Sequence, residues 1–161
     1  MMNLQDKGEV IARAHAIDQS HTIPYRPEYN LITGQVTASI LLQQINYWWH
    51  IMKRCPFYKF RAPCKHEKYK EGDSWTEELK ITVREFDGAL RIIGSKAIKG
   101  SNKAELTRTN LVLYWTDSNR MTWYQLNEKL FYTALYYAYY EPEVLAHTTI
   151  PILQNRIYLY T

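Results

Sequence analysis

The sequence predicts an α+β domain built from two short helices followed by a β-hairpin, and three stretches carry that expectation. Ser74-Trp75-Thr76-Glu77-Glu78-Leu79 reads as a short helix capped by Ser74 or Thr76. Glu77 and Glu78 fall in its first turn, where the helix dipole favours negative charge. After Lys80-Ile81-Thr82, Thr82 caps a second helix from about Val83 to Ile93. On it Val83, Phe86, Leu90 and Ile93 recur at three- and four-residue steps and share one face. Arg84, Glu85, Asp87, Gly88 and Arg91 fall on the other face, and Gly94 reads as a C-terminal stop. Leu111–Trp115 and Met121–Leu126 are strand-like runs separated by the turn formers of Thr116–Arg120. Helix, turn, helix and hairpin is the order of a winged-helix domain. There the second helix enters a DNA groove and the hairpin lies along the backbone.

The remaining elements are placed around that unit. Residues 3 to about 17 predict a short amphipathic helix with Leu4, Val10, Ile11 and Ala14, suited to packing on the domain or against a second copy. His21–Tyr29 is expected to be extended, because Pro24 and Pro27 disfavour helix. Gly34 to Arg54 predicts a long helix with the stripe Leu41, Ile45, Trp48 and Met52, widened by Val36, Ile40 and Trp49. Gln43, Gln44, Asn46 and Lys53 lie off the stripe, and Trp48 and Trp49 are expected to wedge against the aromatic hairpin. Within the connection from 55 to 73, Phe57-Tyr58-Lys59-Phe60-Arg61 predicts a short strand pairing with the wing. Residues 94 to 110 read as a second connector, with a flexible turn at Gly100-Ser101-Asn102. Glu128 to Tyr140 reads as a tyrosine-rich helix with too many aromatic residues for one buried face. Pro142 is expected to end it, and Ile150 to Tyr160 alternates as a terminal strand would. The implied division is an N-terminal helical extension over 1–24, a winged-helix domain over 25–127 and a C-terminal extension over 128–161.

Composition narrows the class. With 161 residues, 46% hydrophobic and 14% aromatic, the chain supports a real core and is not a disordered sequence. The net charge of +4 permits an anionic partner without requiring one. It is unevenly placed: residues 51 to 110 hold fourteen basic and eight acidic side chains, a net +6, against −2 elsewhere. A solvated basic surface is the plain alternative to a binding face. Two cysteines make no disulfide framework, no leader is visible, and no apolar run approaches the roughly 18 residues that span a bilayer. The expectation is a cytoplasmic protein with reduced thiols and no membrane partner.

Several longer runs carry a resemblance. These are Leu31-Ile32-Thr33-Gly34-Gln35-Val36-Thr37-Ala38 leading to Tyr47-Trp48-Trp49, Pro56–Phe60, Tyr69–Trp75, Arg84–Leu90, and above all Tyr114-Trp115-Thr116-Asp117 through Trp123-Tyr124-Gln125-Leu126-Asn127. Over roughly residues 25 to 130 the chain resembles a family of winged-helix proteins of bacterial phages, plasmids and integrative elements, often replication-associated. The resemblance implies a noncatalytic, sequence-specific DNA-binding protein of a mobile element in a bacterial cell, acting in replication or its regulation. Family members usually continue into a further C-terminal region, whereas this sequence ends at Thr161. A shortened version implies a second possibility, a small antagonist of a host defence protein or nucleoprotein complex, of the anti-CRISPR kind.

The candidate residues follow from DNA chemistry. Thr82, Arg84, Glu85 and Arg91 stand where a recognition helix approaches bases and flanking phosphates, and Arg84 suits a bidentate guanine contact. Lys80, Lys96, Lys99, Lys103 and Arg108 are expected to neutralise phosphates, with Arg120 at the wing tip. About five such contacts predict a log–log salt slope near −4 to −5. Glu85 and Asp87 would repel phosphate if the helix docked flat, so it must enter by its N-terminal end or face a protein. Under the antagonist reading the contact surface is Tyr132, Tyr136, Tyr137 and Tyr140. A homodimer is a further expectation from the terminal alternating segment.

No residue set supports a committed reaction, and no cofactor is expected. His50, Cys55, Cys64 and His66 offer four zinc-type ligands, but without a Cys-x-x-Cys pair and with Pro56 and Pro63 stiffening both cysteine flanks. Two small buried thiols and two surface histidines is the simpler reading. The six glycines are dispersed and form no phosphate-cradling loop.

Overall fold

Ser74 and Thr82 each start a helix by the same device. In the computed structural model, which describes residues 4–18 and 22–146, both are N-caps of complete capping boxes. The Ser74 side chain accepts from the Glu77 amide while the Glu77 carboxylate accepts from the Ser74 amide; Thr82 and Glu85 do the same. Two otherwise unpaired amides are thereby satisfied at each start. Taken in chain order with the elements before them, the helices are α1 (Leu4–Asp18), a 3₁₀ turn at Pro27–Tyr29, α2 (Asn30–Thr33), α3 (Val36–Ile51), α4 (Trp75–Leu79) and α5 (Val83–Ile93). The three-residue turn between α4 and α5, Lys80-Ile81-Thr82, is possible because Lys80 takes a left-handed conformation, φ +54°.

Four strands make one sheet, β1 (Phe57–Tyr58), β2 (Gly94–Lys96), β3 (Val112–Thr116) and β4 (Thr122–Leu126), in the order β1-β4-β3-β2. The predicted hairpin is β3–β4, antiparallel with Tyr114 opposite Tyr124, and the short strand at Phe57 pairs with β4 as expected. β2 adds to the far side of β3 in parallel register, Lys96 opposite Tyr114. A parallel neighbour needs a crossover. Residues 97 to 111 supply it, including α6 (Lys103–Thr109), which Asn102 caps through the Glu105 amide.

The 94–110 connector is therefore structured, and Gly94, which stops α5 as expected with its amide donating to the Leu90 carbonyl, has a second role. It is extended (φ −150°, ψ 175°) and opens β2. A Cβ there would lie 2.5 Å from the Val112 carbonyl oxygen, so only glycine lets β2 approach β3.

The core lies between the sheet and the helices. Trp75 and Phe86 stack at 6.0 Å, Trp75 meets Tyr124 edge-on at 5.7 Å, and Tyr124 stacks on Phe57 at 5.8 Å. These rings join α4, α5, β4 and β1, and Leu41, Leu42 and Ile45 of α3 complete the layer. On α5 Phe86, Ala89, Leu90 and Ile93 are buried, while Val83 sits at the rim, 36% exposed.

On α3 the buried face is rotated from the expected stripe. Ala38, Leu42, Gln44 and Trp49 face inward with Leu41 and Ile45, whereas Val36 and Met52 are about half exposed. The helix is covered by both α5 and β4, so its buried arc is wider than a single stripe. The indoles of Trp48 and Trp49 are each held by a carboxylate. Trp48 Nε1 donates to the Glu78 carboxylate at 3.0 Å, and Trp49 Nε1 donates to Glu128.

α7 (Glu128–Tyr140) and α8 (Pro142–Ala146) complete the described elements. Asn127 caps α7, which buries Leu130, Phe131, Ala134 and Ala138, with Phe131 edge-on to Tyr29 at 5.6 Å. Pro142 begins α8 rather than closing the helical region, in keeping with the tolerance of a first helical position for a residue lacking an amide hydrogen. Every described side chain of α1 from Asp6 onward is exposed. The terminal strand expected over residues 150 to 160 lies outside the described residues.

Candidate nucleic-acid interface

Helix α5 and the β3–β4 hairpin stand on two sides of a groove of about 760 Å³. Its third side is the connection that leaves β1, residues 60 to 66. That connection is fastened at both ends. Arg61 Nη1 donates to the two Asp87 oxygens at 3.1 and 3.3 Å, tying it to α5. His66 Nε2 lies 2.7 Å from the Asn119 carbonyl oxygen, tying it to the hairpin tip. The first residues of α4 hold it from behind, the Trp75 and Thr76 amides donating to the Phe60 and Arg61 carbonyls.

The charge of the groove is one-sided. Arg61, Lys65, Arg91, Lys96 and Arg120 line it, with Asp87 as the carboxylate among them, and Asp87 is already paired with Arg61. Among the described residues, Lys65, Lys96 and Arg120 make no ion pair, and the Arg91 guanidinium donates to the Asp87 backbone carbonyl at 3.4 Å. The aromatic part of the wall includes Phe60, Tyr114 and the buried Tyr124, the two tyrosine rings 6.2 Å apart and 25° from parallel. Burial raises the Tyr114 phenol above its ordinary value, helped by nearby Asp87 and opposed by Arg91.

The predicted DNA contacts separate into groups. Arg91, Lys96 and Arg120 come together in the groove from α5, β2 and the hairpin. Lys80 and Arg84 are exposed around the start of α5, outside it. Thr82 and Glu85 spend their side chains on each other's backbone, so their first task is to hold that start. Lys99 and Arg108 are exposed on the β2–β3 crossover. Lys103 lies there too, with its Nζ 5.1 Å from the centre of the Trp115 ring. Arg61 and Lys65 escaped the sequence reading, since they stand more than fifteen positions before α5. The available signal was the expected pairing of β1 with the hairpin, which brings the segment after it beside β4.

The hairpin tip is built by one carboxylate. Asp117 accepts from the Asn119 and Met121 amides and from Trp123 Nε1 at 2.8 Å, and these donors, Trp123 first, hold its pKa below the ordinary range. The conformation presents Arg120 outward at φ +62°. The distinctive Trp-Thr-Asp to Trp-Tyr-Gln run thus has a structural explanation of its own.

Comparisons with protein-family models, curated proteins and solved structures found no match.

The second predicted surface is on α7. Tyr132, Tyr136 and Tyr140 are exposed at four-residue spacing, and Tyr137 is half-buried. The Tyr132 hydroxyl hydrogen-bonds with His50 Nε2 at 2.9 Å, joining this row to α3. Among the described residues no three His, Cys, Asp or Glu side chains are grouped to hold a metal ion. His50 and His66 are engaged at Tyr132 and Asn119, and Cys55 and Cys64 are exposed, not buried as the simpler sequence reading had it. No described helix is long and apolar enough to cross a membrane.

Proposed function

We propose that this chain is a noncatalytic DNA-binding protein with a winged-helix domain, α5 acting as recognition helix and β3–β4 as wing. The order α3, β1, α4, α5, β3, β4, with β1 beside β4, supports the winged-helix reading; the parallel β2 is an addition to it. The carrying observation is the convergence of Arg91, Lys96 and Arg120 with Arg61 and Lys65 on one groove, beside the exposed Arg84. Basic side chains drawn together from separate elements favour a polyanion over a merely solvated surface. The resemblance of residues 25 to 130 to proteins of phages, plasmids and integrative elements supports a role in the replication of a mobile element or its control, in a bacterial cytoplasm.

The test is anisotropy titration of a labelled duplex at several salt concentrations. Wild type gives a steep negative log–log slope, and Arg84→Glu with Lys99→Glu weakens binding at least tenfold at low salt. A salt-independent affinity, or no effect of the double variant, overturns the proposal.

The exposed Tyr132, Tyr136 and Tyr140 row favours a second reading, a protein-binding antagonist of a host defence complex. Tyrosine presents large area with a polar tip, as interfaces require. Under that reading Tyr136→Ala or Tyr140→Ala removes partner binding and Arg84→Glu is silent.

A further inference from the structure

We infer that the groove between α5, the β3–β4 hairpin and the 60–66 connection holds a single unpaired DNA strand, its phosphates on Lys65, Arg91, Lys96 and Arg120 and a base against Tyr114. This rests on the DNA-binding reading and adds which form of DNA the groove accepts.

Shape is the first argument. A duplex is read by a helix or ribbon that protrudes into a major groove about 12 Å wide. Here the cations lie in a recess. The space between α5 and the wing is bridged by a strap, fastened to α5 through Arg61–Asp87 and to the wing through His66–Asn119. What is left is a trough of about 760 Å³, within the roughly 300–1,000 Å³ range of sites that enclose small ligands. A short run of one strand fits inside at that scale, whereas a double helix reaches only the exposed cations along its rim.

Chemistry is the second. Grooves for single strands combine cations that follow the backbone with aromatic faces on which bases stack. Both are present. Lys96 is in register with Tyr114, which is opposite Tyr124, so the charge and the ring share one place on the sheet. The buried Tyr124 lies nearly parallel to the Tyr114 ring and backs it. The carboxylate of the trough, Asp87, is neutralised by Arg61 and so does not repel the strand.

The experiment measures anisotropy of the full chain with a labelled oligothymidylate and with a blunt mixed-sequence duplex. The strand should bind with a log–log salt slope of about −3, the value for four phosphate contacts on a single strand. Lys65→Ala with Lys96→Ala and Arg120→Ala should flatten that slope to about −1. Tyr114→Val should weaken the strand roughly tenfold or more, and Tyr114→Phe, which keeps the ring, should bind as wild type. Tyr114→Val should change duplex affinity less than threefold. All three cations are exposed, so their triple variant reports even if Tyr114→Val fails to fold. Equal losses of strand and duplex binding in Tyr114→Val overturn the inference, as does an unaltered strand slope in the triple variant. Duplex binding without strand binding overturns it and leaves the DNA-binding proposal standing; no binding to either removes both.

Discussion

Arg61 and Asp87 are paired across 26 positions of sequence, the guanidinium donating to both carboxylate oxygens. The pair does two things: it fixes the β1–α4 connection to α5, and it cancels the negative charge within a basic groove. Both partners are well exposed, so its worth to stability is under about 1 kcal/mol. Its effect on an anionic ligand is larger. Asp87→Asn should tighten DNA binding roughly three- to tenfold at low salt, with the gain vanishing at high salt as screening takes over. Titrations at two salt concentrations check this, and weaker binding by the variant would contradict it.

The close passage of β2 over β3 gives a stability prediction. Gly94→Ala places a methyl group 2.5 Å from a backbone oxygen that cannot swing aside. The strands must separate, at a cost of about 1–3 kcal/mol. Urea denaturation should show the midpoint falling, and Gly88→Ala on α5, where nothing lies within 4 Å of the added methyl, serves as the control.

Among the described residues, Lys59 is the one buried cation. Its ammonium lies 3.1 Å from Asp73 and 3.4 Å from Glu78, over the rings of Trp48 and Trp75. Asp73 is exposed and Glu78 keeps its bonds from Trp48 and Gln44, so Lys59→Ala strands neither and should destabilise by about 1–3 kcal/mol. Lys59→Met with Glu78→Gln removes both charges and should recover part of the loss in the same denaturation assay. No recovery would show that packing against the tryptophans, not charge, is what Lys59 supplies.

Glu77 gives the acid response. The Tyr69 hydroxyl, and then Ser74, donate to its carboxylate and bring its pKa down to about 2. A depressed folded pKa means the contribution is complete above the unfolded value of about 4.5 and is lost as pH falls toward 2. Tyr69→Phe removes the largest donor, so its acid transition, followed by circular dichroism, should begin at higher pH. In the wild type the same bond pushes the Tyr69 phenol up to about 12, so this contribution is present below pH 10 and declines as pH rises beyond it.

The elements that were legible in the sequence are those whose signals are local. Thr82 with Glu85 three residues on, followed by the Phe86, Leu90 and Ile93 spacing, specifies α5 to the residue. The β3–β4 hairpin was marked by β-formers flanking Asp117-Ser118-Asn119. β2 was not, because Gly94-Ser95-Lys96 has no alternation and becomes a strand only through Val112–Tyr114, fifteen or more positions away. The α3 face was misjudged for a related reason: cover from two sides turns Leu42 and Gln44 inward and leaves Met52 out, which periodicity alone does not encode. Half of the groove was readable from α5 and the wing. The half made by Arg61 and Lys65 depends on a chain path fixed by Phe57 pairing with Tyr124.

The Asp117 clamp has a thermodynamic consequence. Two amides and an indole fix the wing tip before any ligand arrives, so Arg120 is carried on a loop whose ordering was completed when the chain folded. Docking of that tip should then proceed as a rigid-body event. Isothermal calorimetry should return a small negative heat-capacity change, without the large entropic penalty of a disordered arm condensing on its target.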